Sequence, residues 1–247
     1  MIESPKQQIE KTEILLKILS EQANRTKNIT WLHKENEFNQ RYSIVLSALD
    51  NFKLLIERLE YNIKESEKIN KIIYKRFEKE DKDKISEKGQ KLRKQNRYLT
   101  RQNATDFKAL YIFSKIFLDE YINLLAYMLS LKDKRIKFLN NYKNPSISVL
   151  FNSLKNYNGE NKIILDFCDE CLKKFKAVDI FISQYRNVPI IHSQPERHKE
   201  TEHTISGMGS IRFWSDKQQS ITPKELVFVV DGLVEYTSKY IINNILN

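Results

Sequence analysis

Arg186, Asn187 and His192 are the residues whose types and spacing best fit chemistry, in the string Tyr185-Arg186-Asn187-Val188-Pro189-Ile190-Ile191-His192. Arginine presents a rigid fork of donors that matches a phosphate, and histidine exchanges a proton near neutral pH. An RNA strand carries its own nucleophile, the 2′-hydroxyl. On this reading His192 is the general base or acid, Arg186 clamps the phosphate, and Asn187 positions the substrate. A phosphodiester is then cut without metal, and DNA, lacking the 2′-hydroxyl, is spared. The alternative is a plain helix end, with Arg186 capping carbonyls, Asn187 terminating the helix and His192 in a loop.

Six positions on a helix correspond to about 600°, leaving the Arg186 and His192 side chains roughly 120° apart. Pro189 also forbids a regular helix through the motif, so the helix must end near Tyr185. Two copies facing each other across a twofold axis would bring the groups together. Val188, Ile190 and Ile191 would then be interface residues, and the chain a homodimer.

The elements that must hold this site read as helices. Ile9, Ile14, Leu15, Ile18 and Leu19 give a first helical stripe. After a polar break from Ala23 to Lys34, apolar spacing predicts one very long helix, or two collinear ones, from about Glu35 to Glu80. Residues 79–88 are almost all charged, and Gly89 offers a break. A basic block follows: Lys88, Lys91, Arg93, Lys94, Arg97 and Arg101, with no acid between Lys88 and Thr105. Such a block can follow an RNA backbone; it equally fits a solvated helix face. Asp106 to Leu131 is the strongest amphipathic helix. Asn144-Pro145-Ser146 starts a short helix, Ile163 to Tyr185 forms another, and Thr222-Pro223-Lys224-Glu225 is a capping box opening the last. Ser193 to Gln219 is one long irregular stretch, in which Ile211 and Phe213 suggest a short strand. The expected fold is all-α, with long N-terminal helices over 1–103 and a helical bundle over 104–247, or the two as one continuous unit.

Arg-Asn followed a few residues later by His, late in an all-helical chain, resembles the motif of HEPN domains, many of which are RNA-cutting toxins or defence nucleases. The resemblance covers three residues and their helical context. It implies a HEPN-like bundle, a dimer with the motif at the interface, and products with 2′,3′-cyclic phosphate and 5′-hydroxyl ends. A protein antitoxin is a possible partner. The pattern departs at Gln194, where many members have tyrosine, and at Pro189, Pro195 and the long loop. These departures fit the rival function, a non-catalytic helical module for dimerisation or for partner or RNA binding.

Composition narrows the field. Five glycines and five prolines in 247 residues suit long helices and leave little for the turns of an all-β fold. A net charge of +10 points to an anionic partner. No apolar leader or membrane span is legible, so a cytoplasmic protein without membrane association is expected. No cofactor or metal is expected either. Cys168 and Cys171 lack a second cysteine pair, and His192, His198 and His203 match no standard ligand spacing. The acidic pairs Asp119-Glu120 and Asp169-Glu170 lack a Glu-x-x-His companion and read as solvated faces.

Overall fold

Pro5 sits where its missing N–H costs nothing, in the first turn of a helix, and the residue before it is built to cap. The Ser4 amide donates to Gln7 Oε1 at 2.9 Å and the Gln7 amide donates to Ser4 Oγ at 3.3 Å, a reciprocal capping box. It opens α1 (Pro5–Arg25), in a computed structural model that describes residues 4–25, 35–77, 87–136, 156–178, 213–214, 220–221 and 223–246. The buried stripe of α1 is Ile9, Thr12, Leu16, Leu19 and Ala23. Ile14 and Ile18, expected in the core, face outward, because the true stripe is set by the residues that meet the neighbouring helices.

Two helices dominate: α2 (Glu35–Phe77) and α3 (Glu87–Lys132) pack along each other as a long antiparallel hairpin. At 1.5 Å per residue each is about 65 Å long. Gly89 does not break the chain; it lies within the first turn of α3, where it costs little. The helix also runs uninterrupted through residues 103 and 104. Next comes α4 (162–178), started by Asn161, whose side chain accepts the Ile163 amide at 3.1 Å. A π turn at Cys168–Leu172 interrupts its α geometry. Phe213–Trp214 (β1), where a short strand is expected, and Ser220–Ile221 (β2), just past the irregular stretch, form an antiparallel pair. The last helix, α5 (Pro223–Ile241), continues into a π turn at Ile242–Leu246. The described residues are all-α apart from the two-residue pair. The expected helix at 147–154 lies outside the described residues.

α1 packs on α5 and on the first half of α2, and α3 also contacts α5. The centre is a chain of rings: Phe52 to Phe117 at 6.4 Å, Phe117 to Tyr121 at 6.2 Å, and Tyr121 to Phe175 at 6.5 Å between centroids. Tyr121 also reaches α5, its hydroxyl lying 2.7 Å from Thr237 Oγ1 and 2.9 Å from Ser238 Oγ. One buried side chain thus ties α3, α4 and α5 together, and Phe117 beside it carries the contact on to Phe52 of α2. Burial pushes its phenol well above the ordinary range, so it stays a neutral structural group. α4 is docked on α5 by Tyr240, which donates to the Ile163 carbonyl at 2.8 Å, and by Lys174 over the Tyr236 ring at 3.2 Å.

Candidate nucleic-acid interface

The basic block occupies the first turns of α3. Lys88, Lys91, Lys94, Arg97 and Arg101 are exposed, while Arg93 is half-buried and engaged with a neighbour. At 100° per residue, Lys91, Lys94, Tyr98 and Arg101 fall within an arc of about 80°, so they form one outward strip. The facing turns of α2 add a second cationic strip that the sequence reading passed over. Lys64, Lys68, Lys71 and Lys75 are spaced i, i+4, i+7, i+11 and all four are exposed. That spacing was the available signal; it was hidden by attention to the apolar period of the same helix.

The distribution of charge decides how much weight the net +10 carries. Residues 68–105 hold thirteen basic and five acidic side chains, so these 38 positions account for +8 of the net +10. A compositional bias of the whole chain would spread its lysines evenly. Here the rest of the chain is close to neutral, and the excess collects at one end of the hairpin. Among the described residues, Lys71, Lys75, Lys91, Lys94, Arg97 and Arg101 make no ion pair, whereas Lys6, Lys53 and Lys115 pair with Glu57, Glu13 and Asp119. Clustered, unneutralised cations with an exposed aromatic among them are the footprint of a polyanion surface.

Polar contacts between the helices fix this end in register. Arg58 donates twice to Asp106, at 2.7 and 2.5 Å, across the hairpin. Asn62 reaches the same carboxylate at 3.5 Å. Further out, Ser66 Oγ donates to Asn96 Oδ1 and Asn96 Nδ2 donates to Asn70 Oδ1, each at 2.7 Å. Asparagine at a helix–helix seam sacrifices burial for a defined alignment. The strips on α2 and α3 therefore hold one fixed relation.

Arg186, Asn187 and His192 lie outside the described residues, as do Tyr185, Val188, Ile190, Ile191, His198 and His203. Other readings are corrected by the described part. Asp119 and Glu120 are not a solvated pair. Asp119 accepts from Lys115 at 2.9 Å with both side chains largely covered, and burial raises the Glu120 carboxyl, with Asp119 adding to the effect and Arg41 opposing it. Arg41 is itself buried, donates to Glu37 at 3.0 Å and lies 5.1 Å from the Tyr127 ring centroid. This cluster joins α2 to α3 beneath the surface.

Cys168 and Cys171 fall in the π turn of α4. Burial raises their thiols to about 11 and about 12, which suits half-buried packing groups and not nucleophiles. After α3, Arg135 donates to Asp133 with Nε and Nη2, and the Tyr157 hydroxyl donates to the same carboxylate at 2.6 Å. These hydrogen bonds, those of Arg135 first, hold the Asp133 carboxyl well below the usual carboxylate range. Among the described residues no three His, Cys, Asp or Glu side chains gather as a metal-ligand set, and no helix is long and apolar enough to cross a membrane. Compared with family models, characterised proteins and solved structures, the chain finds no match in any of the three.

Proposed function

We propose that this protein binds RNA through the distal half of the α2–α3 hairpin and cuts it without metal, in the manner implied by the HEPN resemblance. The observation that carries the binding half is the +8 charge collected in residues 68–105, with exposed, unpaired cations on two helix strips. Cleavage rests on Arg186, Asn187 and His192, with attack by the 2′-hydroxyl, proton transfer at His192 and phosphate charge held by Arg186. Pairing of two copies would double these donors in one cleft and cover Val188, Ile190 and Ile191. A toxin or defence role, held in check by an antitoxin, is the setting this chemistry fits.

Incubation of the purified chain with RNA in EDTA tests the reading. Cleavage leaving cyclic phosphate ends is expected, with activity lost in His192→Ala and in Arg186→Ala. Full cutting by either variant removes that residue from the mechanism. RNA binding without cutting in the wild type would leave the second reading, a non-catalytic binding module, which the same basic hairpin favours.

A further inference from the structure

Tyr61 and Tyr98 are 64% and 66% exposed, while Tyr111, Tyr121 and Tyr127 of the same hairpin are buried. An exposed tyrosine ring is an unusual use of a large apolar surface, so its surroundings matter. The seam of α2 runs through Leu59, Asn62, Ile63, Ser66 and Ile69, and that of α3 through Leu99, Asn103 and Asp106, all buried. Measured around each helix from those seams, Tyr61 and Lys68 of α2 turn to the same flank of the antiparallel pair as Lys91, Lys94, Tyr98 and Arg101 of α3. The Arg58–Asp106 pair confirms the sense of rotation, since Arg58 lies on this flank of α2 and reaches across to α3. Two exposed rings thus share one face with four cations, of which Lys91, Lys94 and Arg101 make no ion pair among the described residues and Lys68 is held by Glu65 at 2.7 Å.

We infer that this face is a platform for a single strand: Tyr61 and Tyr98 stack on unpaired bases while Lys68, Lys91, Lys94 and Arg101 follow the phosphates. The inference rests on the RNA-binding reading above and adds the class of substrate. Cations alone do not distinguish a duplex from a strand, because both present phosphates. The rings do distinguish them. A base inside a duplex has its faces covered by its neighbours, whereas an unpaired base offers a face to an aromatic side chain. A helical hairpin has no concave wall to wrap a duplex, and the rings stand on its flank within reach of an extended strand. Stacking also needs no particular base, so the platform is tolerant of sequence.

Fluorescence anisotropy with the full chain decides this, using a labelled uridine-rich 2′-O-methyl oligonucleotide, which cannot be cut by internal attack, and a duplex RNA of equal length. The single strand is expected to bind more tightly than the duplex. Tyr98→Ala and Tyr61→Ala should each weaken single-strand binding about tenfold, leaving the salt slope and duplex binding unchanged, and Tyr98→Phe should restore it. Changing Lys91, Lys94 and Arg101 together to Gln should flatten the salt slope for both probes. Tyrosine variants that bind like the wild type, or a duplex bound as tightly as the strand, would overturn the platform while a cation-dependent salt slope leaves RNA binding standing. Binding of neither probe would overturn both.

Discussion

The two ends of the α2–α3 hairpin are made from the same two helices and obey opposite rules. At the core end the aromatic residues are buried in a chain from Phe52 through Phe117 and Tyr121 to Phe175, and the neighbouring cations are paired. At the distal end Ile69 and Leu99 are buried but stand apart from the contiguous core, the seam is lined by Ser66, Asn70 and Asn96, and tyrosines face outward among exposed cations, with Lys68 paired to Glu65. An aromatic residue in a helix is therefore not by itself a core residue or a ligand contact. What decides is whether its position on the helix turns to the seam or to the outer flank. The core end stabilises the fold; the distal end leaves rings and cations open to solvent.

The contrast is open to direct attack. Phe117→Ala should have the largest effect, about 3–5 kcal/mol of destabilisation by chemical denaturation, since it opens a cavity between Phe52 and Tyr121. Tyr98→Ala, at the other end, should move stability by less than about 0.5 kcal/mol. Similar losses in the two variants would break the comparison. Asp106→Asn tests the boundary: its carboxylate is 3% exposed and takes both hydrogen bonds of Arg58, so a loss of about 1–3 kcal/mol is expected. A neutral result would mean the pair is dispensable to the hairpin.

Asn96→Ala should cost about 1 kcal/mol, because it removes both rungs of the ladder, and should reduce hydrogen-exchange protection only in the distal turns. Gly232→Ala should raise stability by about 0.5–1 kcal/mol, since a methyl group there meets nothing within 4 Å and the residue lies inside α5. The smallest effect is on pH dependence. Asp133 is depressed in the folded state, so its stabilisation is present above about pH 4 and is lost as pH falls below that. Melting curves of Asp133→Asn should therefore show less acid sensitivity than the wild type. An unchanged acid response would remove the Asp133–Arg135–Tyr157 contact from the stability of that turn.

Much of the helical plan was legible because it is written in apolar spacing. The stretch from Glu35 ended within three residues of its expected end, and the strongest amphipathic segment is the core half of α3. The errors have physical causes. Ile14 and Ile18 were misplaced because isoleucine spacing in α1 fits two faces, and only the neighbours choose between them. Gly89 was read as a break because a lone glycine in a charged segment has the look of a turn, yet near a helix start its weakness matters little. Asp119 and Glu120 look like a solvated pair because the cover over Glu120, with Arg41 of α2 near it, comes from a helix no local window contains, although the i, i+4 spacing of Lys115 and Asp119 is legible in the sequence. The α3 half of the candidate interface was visible as a basic run, while the α2 half needed the hairpin to bring Lys68 and Tyr61 beside it.

The ladder of Ser66, Asn96 and Asn70 also sets how the hairpin comes apart. Among the described side chains beyond it, Ile73 and Leu92 are only half-buried and Ile72 is exposed, so opening is expected to start at this end of the hairpin. Asn96, bound to two partners on α2, holds the first checkpoint, and the Arg58–Asp106 pair holds the second. The cations lie mostly outside these checkpoints. Loosening is therefore confined to the last turns before Phe77 and after Glu87, while the ladder and the ring chain behind Asp106 keep the strips inward of it in one fixed relation.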